Sequence, residues 1–146
     1  MATDPDADRL GIYALDTKSG EYVPFTGNMS GMLIAEYILR ERTATGTMPA
    51  NPAMVKTIVT TNMADPIAAD YHVKLIEVLT GFKYIGEQIK LFEETGSNNY
   101  VFGLEESYGC LAGTMQGTRT LSLRLCVSAR LPHGAKSTDR RSGIRW

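Results

Sequence analysis

The sequence predicts an α/β fold in which a mainly parallel sheet is covered by helices. One observation predicts this fold class, and a second indicates a single domain. Short runs rich in β-branched and apolar residues alternate along the chain with stretches of helical periodicity, and such alternation is typical of βαβ units. The chain has 146 residues, of which 43% are hydrophobic, which is enough for one core and short for two.

The first predicted elements are a hairpin and a long helix. Strands are predicted over residues 10–15 and 21–25, because the turn-forming sequence Asp-Thr-Lys-Ser-Gly separates two apolar stretches. Thr26 can cap a helix that begins near Gly27 and stops before the breaking segment 43–52. Apolar residues recur in this helix at one-turn spacing, namely Met32, Leu33, Tyr37 and Ile38.

The rest of the predicted fold alternates strands and helices. The strands are β-branched or apolar runs, and the helices show apolar residues at one-turn spacing with a polar cap or a terminal glycine. The predicted order is a strand over residues 55–60, a helix over 64–72 capped by Asn62, a strand over 74–78, a helix over 82–94 ended by Gly96, and a last strand over 100–103.

Composition excludes a membrane-spanning helix and a disulfide framework. No apolar run approaches the roughly 20 residues needed to cross a bilayer, and Cys110 and Cys126 form no Cys-x-x-Cys pattern. A soluble, cytoplasmic protein is therefore expected. The charge is uneven: residues 1–114 hold 8 Lys or Arg against 15 Asp or Glu, whereas residues 115–146 hold 7 against 1. The basic residues of this tail are scattered, which does not favour binding to nucleic acid or to a membrane.

Three aspartates near the N-terminus form a candidate metal site. Asp4, Asp6 and Asp8 stand at alternate positions, so in an extended segment their side chains point the same way. Carboxylates held this close repel one another unless a cation lies between them. Oxygen ligands suit Mg²⁺, and three of them leave open positions for water and a phosphate oxygen. Arg9, next in the chain, could hold a phosphate through two hydrogen bonds.

Two other interpretations of these aspartates compete with a magnesium site. A solvated acidic tail accounts for the charges equally well from composition alone. An EF-hand loop also begins Asp-x-Asp-x-Asp, but it requires glycine at its sixth position and glutamate at its twelfth, where this sequence has Arg9 and Leu15. The EF-hand interpretation is therefore rejected, and the other two stay open.

The glycine-flanked segment 103–109 is a candidate sugar-binding turn. It follows an apolar strand and is expected to be an exposed turn at the carboxyl end of that strand, where parallel sheets bind ligands. Glu105 and Ser107 could contact neighbouring sugar hydroxyls. The alternative is a polar loop that leads into a helix, with its glutamates near the positive helix end.

The sequence Thr-Gly-Phe-Lys at residues 80–83 lies where a predicted strand is followed by a helix. Its backbone amides and Lys83 could bind an anion at the start of that helix. The alternative is an ordinary turn with a solvated lysine.

Taken together, four segments resemble the third domain of bacterial phosphoglucomutase/phosphomannomutase, in the α-D-phosphohexomutase superfamily. Their order and spacing agree throughout residues 2–114. The resemblance implies an α/β domain in which the aspartate loop binds Mg²⁺ beside a phosphoserine. The four segments are residues 2–9, 26–28, 80–83 and 103–109.

The resemblance also implies a role for each candidate residue. Phe82 stands where some relatives have a histidine, so the general base is not identified. The implied metal ligands are Asp4, Asp6 and Asp8; the implied catalytic residues are Arg9, as a phosphate or phosphoserine contact, and Lys83; the implied substrate-binding residues are Thr80, Gly81, Glu105 and Ser107.

The activity implied by the resemblance is reversible transfer of phosphate between C1 and C6 of a hexose phosphate, through a phosphoserine. Glucose 1-phosphate and glucose 6-phosphate are the expected substrates, with mannose phosphates as the alternative. The family enzyme has four domains and carries its phosphoserine in the first, so this chain is expected to be an inactive fragment whose partners are the missing domains. A second hypothesis is a non-catalytic α/β module that binds a divalent metal or a sugar phosphate.

Residues 115–146 do not resemble the family and are predicted to be a frameshifted, poorly ordered tail. Read one base out of register, the codons of Met115 and Gln116 force an alanine, and those that follow permit the Arg-Asp-Lys-Asp with which relatives continue. The abrupt change of charge after Thr114 agrees with this. The family domain is therefore expected to occupy residues 1–114.

Overall fold

The computed structural model describes residues 1–5 and 9–113. The predicted alternation of strands and helices is confirmed, and the small N-terminal strands precede it. In chain order the elements are β1 (Ala2–Thr3), β2 (Leu10–Leu15), β3 (Tyr22–Phe25), α1 (Gly27–Ala44), β4 (Pro52–Thr57), α2 (Ala64–Asp70), β5 (Lys74–Val78), α3 (Phe82–Thr95), β6 (Asn99–Leu104) and β7 (Cys110–Ala112).

The strands of the described segments form two sheets. The first contains β1, β2 and β3 in that order, all antiparallel, so the predicted hairpin is confirmed. The main sheet has the order β5-β4-β6-β7, in which β4 is parallel to both β5 and β6, whereas β7 is antiparallel to β6. The predicted α/β class with a mainly parallel sheet is therefore confirmed.

Helices cover both faces of the main sheet. α1 and α2 lie on one face, in a buried cluster that includes Leu39, Ala68 and Phe102. α3 lies on the other face, in a second cluster that includes Ile85 and Val55. Alternate residues of β4 belong to different clusters because successive side chains of a strand point to opposite faces. No helix within the described ranges is long and apolar enough to cross a membrane.

Two predicted helix ends are confirmed. Thr26 caps α1, because its Oγ1 accepts a hydrogen bond from the Met29 amide at 3.2 Å. Gly96 ends α3 in the left-handed conformation, with a φ of 63° that glycine adopts without strain. Gly27, the first residue of α1, lies against the segment that follows β6, at Glu106 and Tyr108.

Several predicted boundaries are wrong, and β4 begins at Pro52 rather than at residue 55. β4 ends at Thr57 rather than at residue 60, because the Thr60 amide donates back to the Thr57 carbonyl at 3.0 Å and closes a turn. α2 ends two residues before His72, whose φ of 54° lies outside the helical region. Asn62 does not cap α2, because Met63 occupies the cap position and makes no side-chain cap bond. β7 is absent from the prediction because three residues are too few to show a period.

Leu39 and Leu91 offer a matched test of the core. Leu39 is fully buried in the cluster under α1, whereas Leu91 on α3 is 48% exposed. We expect Leu39→Ala to lower the free energy of unfolding by about 2–5 kcal/mol, because it leaves a cavity. We expect Leu91→Ala to change it by less than about 1 kcal/mol. Urea denaturation followed by circular dichroism measures the free energy of unfolding of both variants. Equal decreases in the two variants would contradict the observed packing.

Candidate active site

The carboxyl ends of β4, β5 and β6 lie at one edge of the main sheet, because these three strands are parallel. The loops that follow them are residues 58–63, 79–81 and 105–109. Ligands of open α/β sheets bind at this edge. Several predicted site residues lie here, namely Thr80, Gly81, Glu105 and Ser107.

Glu105 joins two of these loops. Its Oε1 accepts a hydrogen bond from the Gly81 amide at 2.7 Å, and its Oε2 accepts one from Ser107 Oγ at 3.3 Å. The expectation of an exposed turn is wrong at this residue, which is 8% exposed. The carboxylate can lie inside because the two donors offset the cost of removing it from water. Ser107, by contrast, is exposed.

The segment 105–109 is a tight connection between β6 and β7. The Glu105 amide donates to the Gly109 carbonyl at 2.9 Å, and the two strands pair on either side of the turn. The segment therefore leads into β7 and not into a helix, so this part of the alternative is wrong. Its other part agrees with the structure, because Glu105 accepts from the amide of Gly81, the N-cap residue of α3. Tyr108 has a φ of 70°, which is strained for a residue with a side chain, so the turn depends on its surroundings to keep this shape.

Close packing of the turn 105–109 depends on two glycines. A Cβ atom on Gly27 would lie 2.6 Å from the Tyr108 nitrogen and would also clash with the Glu106 carbonyl. A Cβ atom on Gly109 would lie 2.8 Å from Cζ of Phe82. The first residues of α1 and α3 therefore both lie directly against this turn.

The start of α3 carries three predicted site residues. Gly81 has a φ of 120°, a region that L side chains rarely adopt, and in this conformation its amide donates to Glu105. Thr80 and Lys83 are exposed. The Lys83 ammonium lies 4.6 Å from the centroid of the Tyr84 ring. The structure thus joins Gly81 to the turn after β6, with Thr80 next to it in the chain, and places Lys83 on the first turn of α3.

Asp4 and Arg9 are joined across the aspartate loop. The Arg9 amide donates to Asp4 Oδ1 at 3.1 Å, and Arg9 Nε donates to Asp4 Oδ2 at 2.6 Å. The next amide, that of Leu10, donates to the Tyr108 carbonyl at 3.4 Å. The predicted metal loop and the predicted sugar-binding turn are therefore neighbours.

The other two predicted metal ligands, Asp6 and Asp8, lie outside the described residues. Within residues 1–5 and 9–113, His, Cys, Asp and Glu side chains form no group of three that could hold a metal. Asp4 supplies a carboxylate, the type of ligand that Mg²⁺ prefers, and in this structure that carboxylate is paired with Arg9. Magnesium at this loop stays a prediction.

Glu106, Thr57 and Thr60 belong to the same edge, although the sequence did not single them out. Thr57 Oγ1 donates to Glu106 Oε2 at 3.0 Å. The Thr57 and Thr60 hydroxyl oxygens are 2.8 Å apart, and both threonines are buried. The sequence offered a signal for Thr60, which stood at the carboxyl end of the strand predicted over residues 55–60, the criterion that selected Glu105. It offered none for Thr57, which stood in the middle of that predicted strand.

Lys56 stabilises the loop after β4 from the face of the strand that is opposite to the face of Thr57. Its side chain is fully buried, and its Nζ lies 2.7 Å from Glu77 Oε1 and 3.4 Å from the Thr60 carbonyl oxygen. A buried ammonium requires such partners because its desolvation is costly. The Thr61 amide also donates to Asn28 Oδ1 at 3.2 Å. Polar contacts therefore run from β5 across β4 to the start of α1.

Comparison with known proteins assigns the chain to a family. The family model for phosphoglucomutase/phosphomannomutase, alpha/beta/alpha domain III, matches residues 26–121. The chain belongs to this family. The predicted resemblance to phosphohexomutases is thus confirmed. The match begins after the aspartate loop and continues past Thr114, and the predicted domain limits of 1–114 stay a prediction. The predicted frameshifted tail lies outside the described residues.

Curated relatives include both kinds of mutase. The chain is 41% identical to a phosphoglucomutase of Staphylococcus epidermidis over 112 residues, which are 77% of this chain and 19% of the relative. It is 35% identical to a phosphomannomutase of Mycoplasmoides pirum over 115 residues, which are 79% of this chain and 20% of the relative. The chain therefore spans about a fifth of the length of these relatives.

Solved structures show the same fold. A putative phosphomannomutase from Thermus thermophilus superposes with a TM-score of 0.60 at 23% identity, over 90% of this chain and 26% of that one. The N-acetylphosphoglucosamine mutase of Aspergillus fumigatus superposes with a TM-score of 0.55 at 16% identity, over 88% of this chain and 27% of that one. At these identities the similarity supports the fold of the phosphohexomutase domain.

Gly27 and Gly86 offer a matched test of the close contact between α1 and the turn. We expect Gly27→Ala to lower the free energy of unfolding by about 1–3 kcal/mol, because the new methyl group overlaps the backbone at Tyr108. Gly86, inside α3, has open space where a Cβ would lie. We expect Gly86→Ala to raise the free energy by about 0.5–1 kcal/mol through helix propensity. Urea denaturation measures both, and a Gly27→Ala variant as stable as the wild type would refute this contact.

Proposed function

We propose that this chain is part of an intramolecular phosphotransferase that moves phosphate reversibly between C1 and C6 of a hexose phosphate. In this proposal a phosphoserine carries the phosphoryl group and Mg²⁺ is the cofactor. The identity of 35–41% to a phosphomannomutase and a phosphoglucomutase supports it. The observation that carries it is the edge of the sheet, where the end of the aspartate loop and the start of α3 are both hydrogen-bonded to the turn at 105–109.

In this proposal, the turn after β6 contacts the sugar. Ser107 is exposed, and its hydroxyl can both donate and accept. The Glu105 oxygens already accept from Gly81 and Ser107, and each has a further lone pair for a sugar hydroxyl. The Aspergillus fumigatus mutase was solved with GlcNAc-6P and magnesium, which supports a sugar phosphate as the ligand of this fold.

The aspartate loop and the start of α3 are proposed to hold the phosphate. Asp4, Asp6 and Asp8 are the proposed metal ligands, and bound Mg²⁺ would neutralise phosphate charge and make the phosphorus more electrophilic. Arg9 has a side chain that is 56% exposed, so its guanidinium can meet a phosphate from solvent. Lys83 supplies a second exposed cation beside the site. Charge neutralisation and positioning are the main contributions expected of residues at such a site.

We also propose that this chain has no mutase activity by itself. It spans about a fifth of its curated relatives, and in this proposal the missing domains supply the phosphoserine. Glucose phosphates are the proposed substrates and mannose phosphates the alternative, since relatives of both kinds match. A cytoplasmic location is proposed with the enzyme.

Magnesium binding tests the aspartate loop. We expect the chain to bind Mg²⁺ and Asp6→Ala to weaken binding by about tenfold or more, because a ligand carboxylate is lost. Asp70→Ala, at the exposed end of α2, is the control and should bind as the wild type does. Isothermal titration calorimetry measures the affinities. An Asp6→Ala variant that binds with full affinity would favour the solvated acidic segment instead.

A coupled mutase assay tests the fragment. With glucose 1-phosphate, glucose 1,6-bisphosphate and Mg²⁺, we expect no turnover, because the chain is proposed to lack the serine that carries the phosphoryl group. Binding of glucose 6-phosphate without turnover would agree with an inactive part of the enzyme. Measurable turnover would contradict this part of the proposal, and a chain that binds neither Mg²⁺ nor glucose 6-phosphate would contradict the rest.

A further inference from the structure

Glu106 stands between the two proposed sugar contacts, but its side chain is engaged elsewhere. Its Oε2 accepts a hydrogen bond from Thr57 Oγ1 at 3.0 Å, across 49 residues of sequence. Glu106 is half-buried, whereas many surface glutamates are simply solvated. This contact ties the middle of the turn to the end of β4.

Thr57 is a fixed anchor. It is fully buried, and it ends a strand that is paired on both sides, to β5 and to β6. Its hydroxyl oxygen lies 2.8 Å from that of Thr60, and the Thr60 carbonyl accepts from the buried Lys56 ammonium at 3.4 Å. The hydroxyl that Glu106 accepts from is therefore held in place on several sides.

The turn in its present position supplies acceptors for two amides that lie outside it. The Gly81 amide donates to the Glu105 carboxylate, and the Leu10 amide donates to the Tyr108 carbonyl. If the turn moves away from β4, these two amides lose their acceptors. Their protection from solvent exchange therefore reports the position of the turn.

We infer that Glu106 is a positioning residue of the sugar-binding turn. Through Thr57 it holds the turn 105–109 against the end of β4, and it thereby fixes Glu105 and Ser107 where a hexose phosphate meets them. A hydrogen bond suits this task because it has a preferred length and direction. The part of the inference that concerns the ligand rests on the proposed function.

Amide hydrogen exchange in the ligand-free chain tests the positioning role. In Glu106→Ala we expect exchange at Gly81 and Leu10 to become about tenfold faster, because one hydrogen bond of the closed turn is lost. The amide of Val55, in the middle of β4, should change little. Glu106→Gln should restore the wild-type rates, because its amide oxygen can still accept from Thr57.

Thr57→Val provides the matched change on the other side of the bond. It removes the hydroxyl with little change of shape, and we expect the same local acceleration of exchange. Thr57→Val also removes the contact with Thr60. The double variant with Glu106→Ala should exchange no faster than Thr57→Val alone, because the Thr57–Glu106 bond is already absent in that variant. Additive effects on the two reporter amides would overturn the inference.

Titration with glucose 6-phosphate, followed at the Ser107 amide by NMR, tests the effect on ligand binding. We expect Glu106→Ala to weaken the affinity by about tenfold, Glu106→Gln to restore it, and Glu93→Ala, on the exposed side of α3, to leave it unchanged. Inorganic phosphate alone should not reproduce the Ser107 response.

The outcomes separate the inference from the proposed function. Unchanged exchange at the Gly81 and Leu10 amides, or equal acceleration at Val55, would overturn the positioning role. Local acceleration in a chain that does not respond to glucose 6-phosphate would uphold the positioning role and contradict the proposed function. Faster local amide exchange in Glu106→Ala, together with a weaker affinity for glucose 6-phosphate that Glu106→Gln restores, would support both the positioning role and the proposed function.

Discussion

The parallel alignment of β4 with β5 and β6 is the constraint on which the rest of the structure depends. It places three loops from distant parts of the sequence at one edge of the sheet. Contacts between those loops then become possible, such as the bond from Gly81 to Glu105 across 24 residues. α1 and α3 also begin at this edge, on opposite faces of the sheet, and both meet the turn at 105–109.

Buried charge at this edge is the second notable feature of the fold. A buried carboxylate and a buried ammonium, Glu105 and Lys56, both lie near the ends of central strands. Well-packed apolar residues often stabilise a protein as much as buried ions do. Compared with apolar side chains, these polar groups position the loops more accurately. Hydrogen bonds specify a distance and an angle, whereas apolar contacts specify mainly a volume. The edge is therefore built to hold loops in defined positions.

Sequence patterns predicted an element correctly where residues close together in the chain determine it. The Thr26 cap, the Gly96 helix end and the long α1 are local features, and each is confirmed. The end of β4 was not predictable from composition, because Ile58 and Val59 have strand propensity but lie in a turn that tertiary contacts close. The short β7 depends on pairing with β6 and has no periodic signal of its own.

The sequence by itself determined the fold class, the hairpin and the chemical types present at the site: the carboxylates of the aspartate loop, the glycines of the turns and the Glu-x-Ser pair. Each follows from local composition and spacing. The tertiary structure alone decided that Glu105 is buried and bound to Gly81, and that Glu106 pairs with Thr57. Such contacts join residues far apart in the chain, and their partners depend on strand register and loop packing, which no local pattern encodes.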